Sequence, residues 1–498
     1  MRAQRQIWLL LAILAQPLRV YSRGWSVIDI NRDESEVVER DVCVVGGGAS
    51  GVHAAVSLMD LNKTVIVIER DAQLGGATQT YIDPDTGAPV DIGVVVYQPF
   101  PAVQEFFDKF QISLINTSTA DVNAPGQPPN PSVPAPLFNT IRKHADFRDG
   151  SDVSWTEFPD VAGALQRMAA VLSQYSYVLE GDDLPDPVPQ DLYSPFGEFV
   201  DKYNLSAAFR ITYAVGQGTG DMLHMPTINV IKYFNLGDIQ ALSQGYLTSA
   251  KGNNSELYYK ATEYLGARNV MLQSTVIATE RQNTSTGRSE LLVSSRDGGP
   301  KLLSCSQILL TIPPTLSNLA GWDLTPQERA VFSQYTTANG YWTGLVRGIG
   351  MNQTVSFDNA AAHTPFNIPV LPALYHVAPV GTIDDVWWVK FGADAPTLTD
   401  AQVRAYATRQ IQTLQAAKGF PVTEPEWLVF KSHSPFHLQV PGEAIRDGFY
   451  TELSALQGGL GGTMFYSGAA FHTHYSAYLW RFNRDVVIPK MLNQAGRV

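Results

Sequence analysis

The clearest hydrophobic pattern in the chain is a pair of short apolar runs separated by a glycine-rich turn and a predicted helix. Asp41–Val45 contains a nearly continuous apolar run, as expected of a parallel strand buried on both faces. The residues from about Ser50 to Leu61 are predicted to form a helix, and Thr64–Ile68 contains a second apolar run. This order of strand, helix and strand predicts the opening unit of an α/β domain with a parallel sheet.

Later segments repeat these patterns. Glu256–Leu265 is predicted to be a helix, and Val270–Ala278 is predicted to be a strand. Gln307–Pro314 reads as a buried strand that ends at two prolines, which cannot donate to a strand ladder. The proline-rich run Ala124–Pro136 cannot hold a helix or a central strand, so it is predicted to be a surface loop or the edge of a lid.

The N-terminal residues have the pattern of a targeting segment. Arg2 and Arg5 precede the uninterrupted apolar run Ile7–Ala15, and Ser22 supplies a small residue for cleavage. Residues 1–22 are therefore predicted to be a signal peptide, so a secreted protein or one in the secretory-pathway lumen is expected. The alternative is an N-terminal membrane anchor, but the run is shorter than the roughly 20 apolar residues of a membrane span.

The remaining residues contain no apolar run of membrane-spanning length, so no stable membrane span is expected. Sequons of the form N-x-Ser/Thr permit glycosylation on the secretory route. They lie at Asn62, Asn116, Asn204, Asn253, Asn283 and Asn352.

The turn after the first predicted strand matches a dinucleotide-binding pattern. Gly46, Gly48 and Gly51 have the spacing G-x-G-x-x-G, which allows a tight turn, close approach of a pyrophosphate and close helix packing. The second strand ends at Glu69, about 20 residues after the first glycine, where an acid accepts hydrogen bonds from an adenosine ribose. The alternative, a glycine turn without a nucleotide, requires that all these elements agree by chance.

Composition excludes several classes of protein. The chain of 498 residues is 45% hydrophobic and 16% charged, as in globular proteins, and this length allows about two to four domains. The formal net charge of −12 disfavours a phosphate backbone, so no nucleic acid partner is expected. The two cysteines, Cys43 and Cys305, allow at most one disulfide. No clustered metal-ligand motif and no G-x-S-x-G elbow occurs, so neither a metal site nor serine hydrolysis is predicted.

The residues after Glu69 extend the nucleotide motif. Glu69-Arg70 is followed by Gly75-Gly76, and Asp91-Ile-Gly93 comes shortly afterwards. This combination resembles the flavoproteins of the amine oxidase superfamily, in which the second glycine turn passes the ribityl and phosphate part of FAD. The resemblance therefore implies FAD as the cofactor.

The same resemblance continues toward the C-terminus. Val276 matches the valine whose backbone meets the adenine, and Thr463–Gly468 resembles the last strand of the family. The helix start after Gly468 resembles the one that lies under the isoalloxazine. Together, the motif and the resemblance predict these cofactor-binding residues: Gly46, Gly48, Ser50, Gly51, Glu69, Arg70, Gly75, Gly76, Val276, Gly468 and Ser476.

The resemblance implies an α/β fold, in which a Rossmann-type FAD-binding domain is interleaved with an α+β substrate domain. The matching segments assign residues 40–115, 246–318 and 427–498 to the FAD-binding domain. The stretches between them, residues 116–245 and 319–426, are predicted to form the substrate domain.

Three departures from the amine oxidases bear on the chemistry. Thr343 and Gly344 stand where those enzymes carry a lysine that serves reoxidation of the flavin by oxygen, so efficient oxidase activity is not expected. Ala469 and Ala470 replace an acid, and Ala77 replaces an arginine.

A narrower resemblance concerns the segments that begin at Arg40, Leu74 and Asp91, which are similar to those of the fungal β-cyclopiazonate dehydrogenase family. It implies an FAD-dependent oxidoreductase of fungal secondary metabolism that passes a hydride from a bulky apolar substrate to flavin N5 and promotes cyclisation or desaturation. The substrate would be a small molecule such as a polycyclic or prenylated metabolite. The alternatives are an amine oxidase that releases hydrogen peroxide and a flavin-binding protein without turnover.

The candidate catalytic residues are aromatic and imidazole side chains. Tyr478 aligns with an aromatic position that faces the flavin in amine oxidases, although helix packing also explains it. His433 and His437 lie where relatives place an aromatic wall or a covalent flavin linkage, with His472 and His474 as further choices for such a link. Trp427 belongs to the same stretch as His433 and His437 in this resemblance. The tryptophans Trp342, Trp387 and Trp388 either line the substrate pocket or belong to the core.

Overall fold

The computed structural model describes residues 37–117, 140–154, 158–181, 184–281, 287–296 and 298–495. The predicted signal peptide, the proline-rich run at residues 124–136 and the sequon at Asn283 lie outside these ranges. No helix within them is both long and apolar enough to cross a membrane.

The strands are numbered in chain order. They are β1 Val37–Val45, β2 Val65–Ile68, β3 Thr80–Ile82, β4 Pro89–Asp91, β5 Leu114–Asn116, β6 Ile141–Ala145, β7 Leu247–Ser249, β8 Val270–Met271, β9 Ser274–Arg281, β10 Ser289–Ser295, β11 Gly298–Leu310, β12 Thr337–Arg347, β13 Val355–Asn359, β14 Ala373–Pro379, β15 Val386–Ala393, β16 Glu426–Ser432, β17 Phe436–Gln439 and β18 Met464–Tyr466.

The α-helices are numbered in the same way. They are α1 Ala49–Asp60, α2 Pro101–Lys109, α3 Val161–Leu172, α4 Gln190–Tyr193, α5 Phe196–Lys202, α6 Ser206–Val215, α7 Thr227–Ile231, α8 Leu236–Gln244, α9 Ser255–Leu265, α10 Pro326–Phe332, α11 Asp400–Ala417, α12 Gly442–Arg446, α13 Phe449–Ala455, α14 Ser476–Phe482 and α15 Ile488–Ala495. Short 3₁₀ turns include Pro365–Asn367 and Ala469–Phe471.

The first sheet carries the predicted nucleotide-binding unit. Its strand order is β8-β2-β1-β11-β10-β9, and β18 pairs with the C-terminal end of β11. The pairs β1–β2, β1–β11, β2–β8 and β11–β18 are parallel, as the continuous apolar runs predicted. Helix α1 covers one face of this sheet and connects β1 to β2, so the strand, helix and strand prediction is confirmed.

The second sheet is mostly antiparallel and has the order β16-β12-β15-β14-β13-β6, with β17 paired to β12. One face packs against helix α11 through a core that includes Trp342, Trp387, Val389 and Phe391. Because side chains alternate between faces along a strand, the residues between these core positions point to the opposite face. The two sheets confirm the predicted fold class, a Rossmann-type α/β domain interleaved with an α+β domain.

The strand pairing refines the predicted domain boundaries at one place. Strands β16 and β17 cover residues 426–439 and pair with β12 of the second sheet. The predicted third FAD-domain segment began at residue 427, whereas the chain rejoins the first sheet only at β18. The difference arises because hydrophobic patterns reveal strands but not their partners.

A disulfide joins the two central strands of the first sheet. Cys43 in β1 and Cys305 in β11 are bonded, with 5.9 Å between their Cα atoms, and both side chains are buried. This distance lies within the usual range for a disulfide. The sequence allowed one disulfide, and the structure shows that both cysteines form it.

Candidate functional site

The predicted glycine turn lies between β1 and α1, where three segments of the chain meet. A Cβ on Gly51 would lie 1.9 Å from the carbonyl oxygen of Gly46, so the helix can approach the turn only because residue 51 is glycine. Thr311 Oγ1 donates hydrogen bonds to the carbonyl oxygens of Val45 and Gly46. A Cβ on Gly468 would come within 2.6 Å of the Thr311 carbonyl oxygen, so the C-terminal segment also contacts this residue.

Gly48 and Gly76 form the floor of a cradle at the start of α1. A Cβ added to Gly48 would meet nothing closer than Gly76 Cα at 4.0 Å, so it would project into open space. No side chain caps the N-terminus of α1 and no acidic side chain occupies its first turn. Free N–H groups and the positive end of the helix dipole therefore face this space, an arrangement that suits a pyrophosphate.

Glu69 is fixed beside the glycine turn. One carboxylate oxygen accepts a hydrogen bond from the Gly47 N–H at 2.6 Å, and the other accepts one from the Asp71 N–H at 2.8 Å. A carboxylate has further lone pairs, so a ribose hydroxyl can still donate to it. The Arg70 side chain is largely exposed, and Val276 is buried in β9. Their roles in cofactor binding stay predictions.

The predicted residues near the C-terminus connect to α1 by buried hydrogen bonds. Ser50 Oγ donates to Ser467 Oγ at 2.7 Å, and Ser467 Oγ donates to Asn483 Oδ1 at 2.6 Å. Asn483 Nδ2 donates to the Ser50 carbonyl oxygen at 2.8 Å. These contacts hold the Gly468 turn beside the nucleotide helix. Ser476 is buried at the first position of α14.

The structure brings His437, one of the two candidate catalytic histidines, together with His474. His437 contacts His474, with ring centroids 5.6 Å apart, and both rings contact Tyr233. Phe436 lies against His474 at 4.4 Å, and the His433 ring lies 5.8 Å from that of Tyr341. Sequence reasoning did not identify Tyr233 and Tyr341, because the turn after α7 and the strand β12 carry no motif that marks them.

Burial keeps these imidazoles uncharged. Burial, with smaller effects of Lys431 and Lys390, lowers the pKa of His433 to about 4. Burial lowers the pKa of His474 to about 3, and His433 adds to this effect. Burial and the neighbouring His474 hold the pKa of His437 well below its ordinary value. Each neutral imidazole keeps a nitrogen lone pair, but the lowered pKa makes it a weak base that takes a proton only from a strong acid.

Tyr478 lies behind this cluster. Its phenol donates to Asn235 Oδ1 at 2.5 Å, and its ring packs edge-on against Phe100. Its side chain is buried, which fits helix packing, and its catalytic role stays a prediction. Tyr475, three residues earlier, lies 5.5 Å from Tyr233, and neither phenol has a hydrogen-bond partner among the described residues.

A buried lysine lies near the segment that follows Gly468. Lys232 follows α7 and lines a small cleft with Ala469, Ala470 and His472. Its ammonium group lies 4.1 Å from the centroid of the Tyr450 ring, a cation–π distance. Sequence reasoning did not identify Lys232 as a site residue, because the residues around it come together only in the tertiary structure.

A second cavity lies on the face of the second sheet opposite α11. It has a volume of about 460 Å³ and lies between this sheet, helix α6 and the 3₁₀ turn Pro365–Asn367. Its aromatic lining comprises Phe158, Tyr213, Phe366 and Tyr375. Its ionisable lining comprises Arg142, His144, Arg210, Asp358, His376 and Lys390.

None of the three tryptophans proposed for the substrate pocket lines this cavity, and neither does Trp427. Trp342 and Trp387 are buried in the core against α11, and Trp427 packs at its edge. Trp388 belongs to a separate core cluster with Leu345. For these side chains, the core interpretation fits the structure better than the pocket interpretation.

A path of ring contacts leads from the cavity to the histidine cluster. Tyr375 lines the cavity and lies 6.4 Å from Tyr341, which in turn lies 5.0 Å from Phe436. Phe436 contacts His474, which follows the Gly468 turn. The cavity, the histidines and the segment that follows the Gly468 turn therefore belong to one region of the molecule.

The described residues fit FAD in two respects. The cradle at Gly48 and Gly76 leaves uncapped N–H groups for a pyrophosphate. Several buried polar atoms around the segment after the Gly468 turn have no hydrogen-bond partner among the described residues, so they can bond to a bound group. They include Tyr233 Oη, Tyr475 Oη and His472 Nδ1. No group of His, Cys, Asp and Glu side chains suited to a metal ion occurs within the described ranges.

Comparison with known proteins identifies relatives along nearly the whole chain. Residues 44–110 match the NAD(P)-binding Rossmann-like domain family. The FAD-dependent oxidoreductase oblC of Cochliobolus heterostrophus is 37% identical, over 92% of this chain and 92% of that protein. The β-cyclopiazonate dehydrogenase of Aspergillus oryzae is 33% identical, over 91% of this chain and 94% of that protein.

Solved structures share the fold at low sequence identity. A fatty acid isomerase from P. acnes superposes with a TM-score of 0.69 at 17% identity, over 90% of this chain and 98% of that one. The cyclohexylamine oxidase of Brevibacterium oxydans superposes with a TM-score of 0.57 at 14% identity, over 92% and 99%. These likenesses confirm that the fold is of the amine oxidase type.

Proposed function

The chain belongs to the family of fungal FAD-dependent oxidoreductases that includes β-cyclopiazonate dehydrogenase, and we propose that it removes a hydride from a bulky, largely apolar substrate. Bound FAD supplies the two-electron acceptor. The substrate we infer is a polycyclic or prenylated metabolite. Loss of hydride leaves a cation that either reacts with a nucleophile in the same molecule, which closes a ring, or loses a proton, which forms a double bond.

One observation carries this proposal: a path of ring contacts joins the cavity of about 460 Å³ to the histidines beyond the Gly468 turn. Aromatic walls suit an apolar substrate and hold it at a low cost in side-chain entropy. A rigid pocket of this kind can present one carbon–hydrogen bond of the substrate and preset the position of its internal nucleophile.

The protein's own groups would then handle the proton. Oxidation to a ring or a double bond releases one proton together with the hydride. Burial lowers the pKa of His433, His437 and His474, so each is neutral and carries a free lone pair but is a weak base. The cation left after loss of hydride is a strong acid, so one of these imidazoles would take its proton and pass it on to solvent. His433 Nε2 lies 3.3 Å from Thr343 Oγ1, which orients the ring. We favour His433 and His474 as the groups that accept the proton, because their side chains are less buried than that of His437.

The experiment is anaerobic reduction of the purified, FAD-loaded enzyme by candidate polycyclic and prenylated compounds. The visible absorbance of oxidised flavin is expected to disappear with substrate, and the product is expected to lack two hydrogens. Replacement of the reacting hydrogen by deuterium should slow the bleaching if removal of hydride limits the rate. The His433→Gln and His474→Gln variants should bind FAD normally but bleach more slowly.

Two results would contradict the proposal. Rapid oxidation of simple amines with equimolar peroxide would indicate an amine oxidase, which the threonine at position 343 disfavours. If the protein retains FAD but no compound of the panel reduces it, the result would support the alternative of a flavin-binding protein without turnover.

We also propose that the protein folds on the secretory route. The buried disulfide between Cys43 and Cys305 supports this, since such bonds persist in oxidising compartments. Asn62, Asn204 and Asn352 are exposed, so their sequons are accessible to glycosylation. Expression with and without residues 1–22, followed by analysis of the culture medium and of glycan-dependent mass, tests this proposal.

A further inference from the structure

The cavity face of the second sheet carries a continuous row of polar and ionisable residues. Thr343 in β12 lies opposite Lys390 in β15, which lies opposite His376 in β14. His376 lies opposite Asp358 in β13, which lies opposite His144 in β6. Residues directly opposite one another on neighbouring strands point to the same face. The row therefore runs across the sheet, and all of its members except Thr343 line the cavity.

Lys390 is the member of this row without a counter-ion. Among the described residues, its Nζ forms no ion pair and no hydrogen bond, and it lies 5.7 Å from the centroid of the Trp388 ring. The acidic residue of the row, Asp358, lies 3.9 Å from the guanidinium of Arg142. The nearby imidazoles of His376 and His433 do not compensate for the ammonium group, since both are neutral.

Burial lowers the pKa of Lys390 to about 8, so its amine remains mostly protonated at neutral pH. A cation away from bulk water and without a partner is costly, and such groups in proteins usually meet an opposite charge. The chain as a whole has 47 acidic and 35 basic residues, yet among the described residues the cavity lining contains three basic side chains, Arg142, Arg210 and Lys390, and one acidic side chain, Asp358. Lys390 is the one of these for which the cavity itself is the place to meet an anion.

We propose that Lys390 binds an ionised oxygen of the substrate, so that the substrate of this enzyme is an organic acid with a large apolar body. The anionic oxygen is that of a carboxylate or of an enolate. This inference rests on the proposed function and specifies its substrate class. The apolar body would lie against Phe366 and Tyr375, and the path through Tyr341 would lead its reactive end toward the histidine cluster.

The arrangement also explains how the substrate would be oriented. Charge-assisted hydrogen bonds are short and directional, so the ammonium group would fix one end of a molecule that apolar contacts alone would let slide. Lys390 would thus act as a binding and positioning residue that takes no part in the transfer of hydride.

The test is a binding measurement with the FAD-loaded protein and two fluorescent probes of matched shape, 4-(pyren-1-yl)butyrate and 4-(pyren-1-yl)butyramide. The wild type should bind the acid at least about tenfold more tightly than the amide, the least expected of a charge-assisted hydrogen bond. Lys390→Met should abolish this preference, and Lys390→Arg should retain most of it. The control variant is Lys431→Met. Lys431 is exposed and lies opposite Thr343 on β16, the other strand beside β12, so this variant should keep the preference for the acid unchanged.

A third probe, with an enol in place of the carboxylate of the pyrene acid, distinguishes an enolate from a carboxylate. It should bind more tightly than the amide only when its enol is ionised. Equal binding of acid and amide by the wild type would overturn the proposal, as would an unchanged preference in Lys390→Met or failure of both probes to bind. The flavin spectrum of each protein is recorded first. Equal binding of acid and amide by a wild-type protein that retains FAD contradicts only this inference, whereas absence of FAD contradicts the proposed function.

Discussion

The hydroxyls of Ser50 and Ser467 are hydrogen-bonded at 2.7 Å although 417 residues separate them in the chain. Asn483 accepts from Ser467 and donates to the carbonyl oxygen of Ser50. The first helix of the nucleotide unit is therefore held to the last strand and the last helices by one buried polar network. Such a network stabilises a structure only while every member has its partner.

Replacement of Asn483 by alanine tests this network. The change leaves the Ser467 hydroxyl and the Ser50 carbonyl oxygen without their asparagine partner, so the free energy of unfolding should fall by roughly 1–3 kcal/mol. Denaturant unfolding of the FAD-loaded protein measures the loss. The matched control is Asn493→Ala, because Asn493 is exposed on α15, and its effect should stay within about 0.5 kcal/mol. Equal effects of the two variants would argue against the network.

The cradle at Gly48 predicts a cofactor defect without a folding defect. Gly48 has φ of −76°, which alanine adopts without strain, and an added Cβ meets no protein atom closer than 4.0 Å. Gly48→Ala should therefore fold normally while its methyl group obstructs the pyrophosphate, and FAD affinity should fall at least about tenfold. Titration of the apoprotein with FAD measures this affinity.

The control for Gly48→Ala is a neighbouring glycine that the fold itself requires. A Cβ on Gly51 would lie 1.9 Å from the Gly46 carbonyl oxygen, so Gly51→Ala should lower the thermal stability of the apoprotein as well. If Gly48→Ala binds FAD as tightly as the wild type, the pyrophosphate does not lie at this turn.

Acid should destabilise the protein through its buried histidines. Burial, assisted by Arg484, lowers the pKa of His53 to about 3, and burial lowers that of His472 to about 3. Below about pH 6.5, the unfolded chain binds protons that the folded chain excludes, so stability is full above this pH and falls toward pH 3. Burial raises the pKa of Asp91 to about 8 and that of Asp238 to about 7, which acts in the opposite sense. The contribution of a single histidine is therefore measured by comparing the thermal unfolding of the wild type and a histidine variant from pH 7 down to pH 4.

His53→Leu isolates one of these groups away from the candidate site. His53 packs against Phe106 and Trp480, and its Nδ1 has no hydrogen-bond partner among the described residues. The variant should match the wild type near pH 7 and lose less stability between pH 6.5 and pH 4 than the wild type does. Parallel pH profiles for the two proteins would show that His53 is not held neutral.

The disulfide predicts a definite thiol count. Under denaturing conditions without reductant, no free thiol should react with an alkylating agent, and reduction should expose both cysteines. The double variant Cys43→Ala/Cys305→Ala should lose about 2–4 kcal/mol of unfolding free energy, because the bond restricts the unfolded chain. Protein made in a reducing cytosol provides the comparison, and reactive thiols in protein from an oxidising compartment would contradict the pairing.

Local patterns were sufficient for the opening unit of the fold. The apolar run before Gly46, the glycine spacing and the acid at Glu69 predicted β1, α1 and β2, because each depends on neighbours in the chain. The resemblance added FAD and the amine-oxidase-like fold, both of which the comparisons confirm. The pairing of β16 with β12 was not predictable, since periodicity shows that a segment is a strand without showing which strand lies beside it.

By itself, the sequence determined that this chain has a nucleotide turn, since Gly51 permits the close approach of the helix to Gly46 and Gly48 leaves space for a pyrophosphate. Only the tertiary structure decided that Cys43 bonds to Cys305, and that Lys390 faces a cavity with no counter-ion among the described residues. The physical reason is that these relationships join strands far apart in the chain. Whether a charge is paired depends on which side chains the strand order places around it.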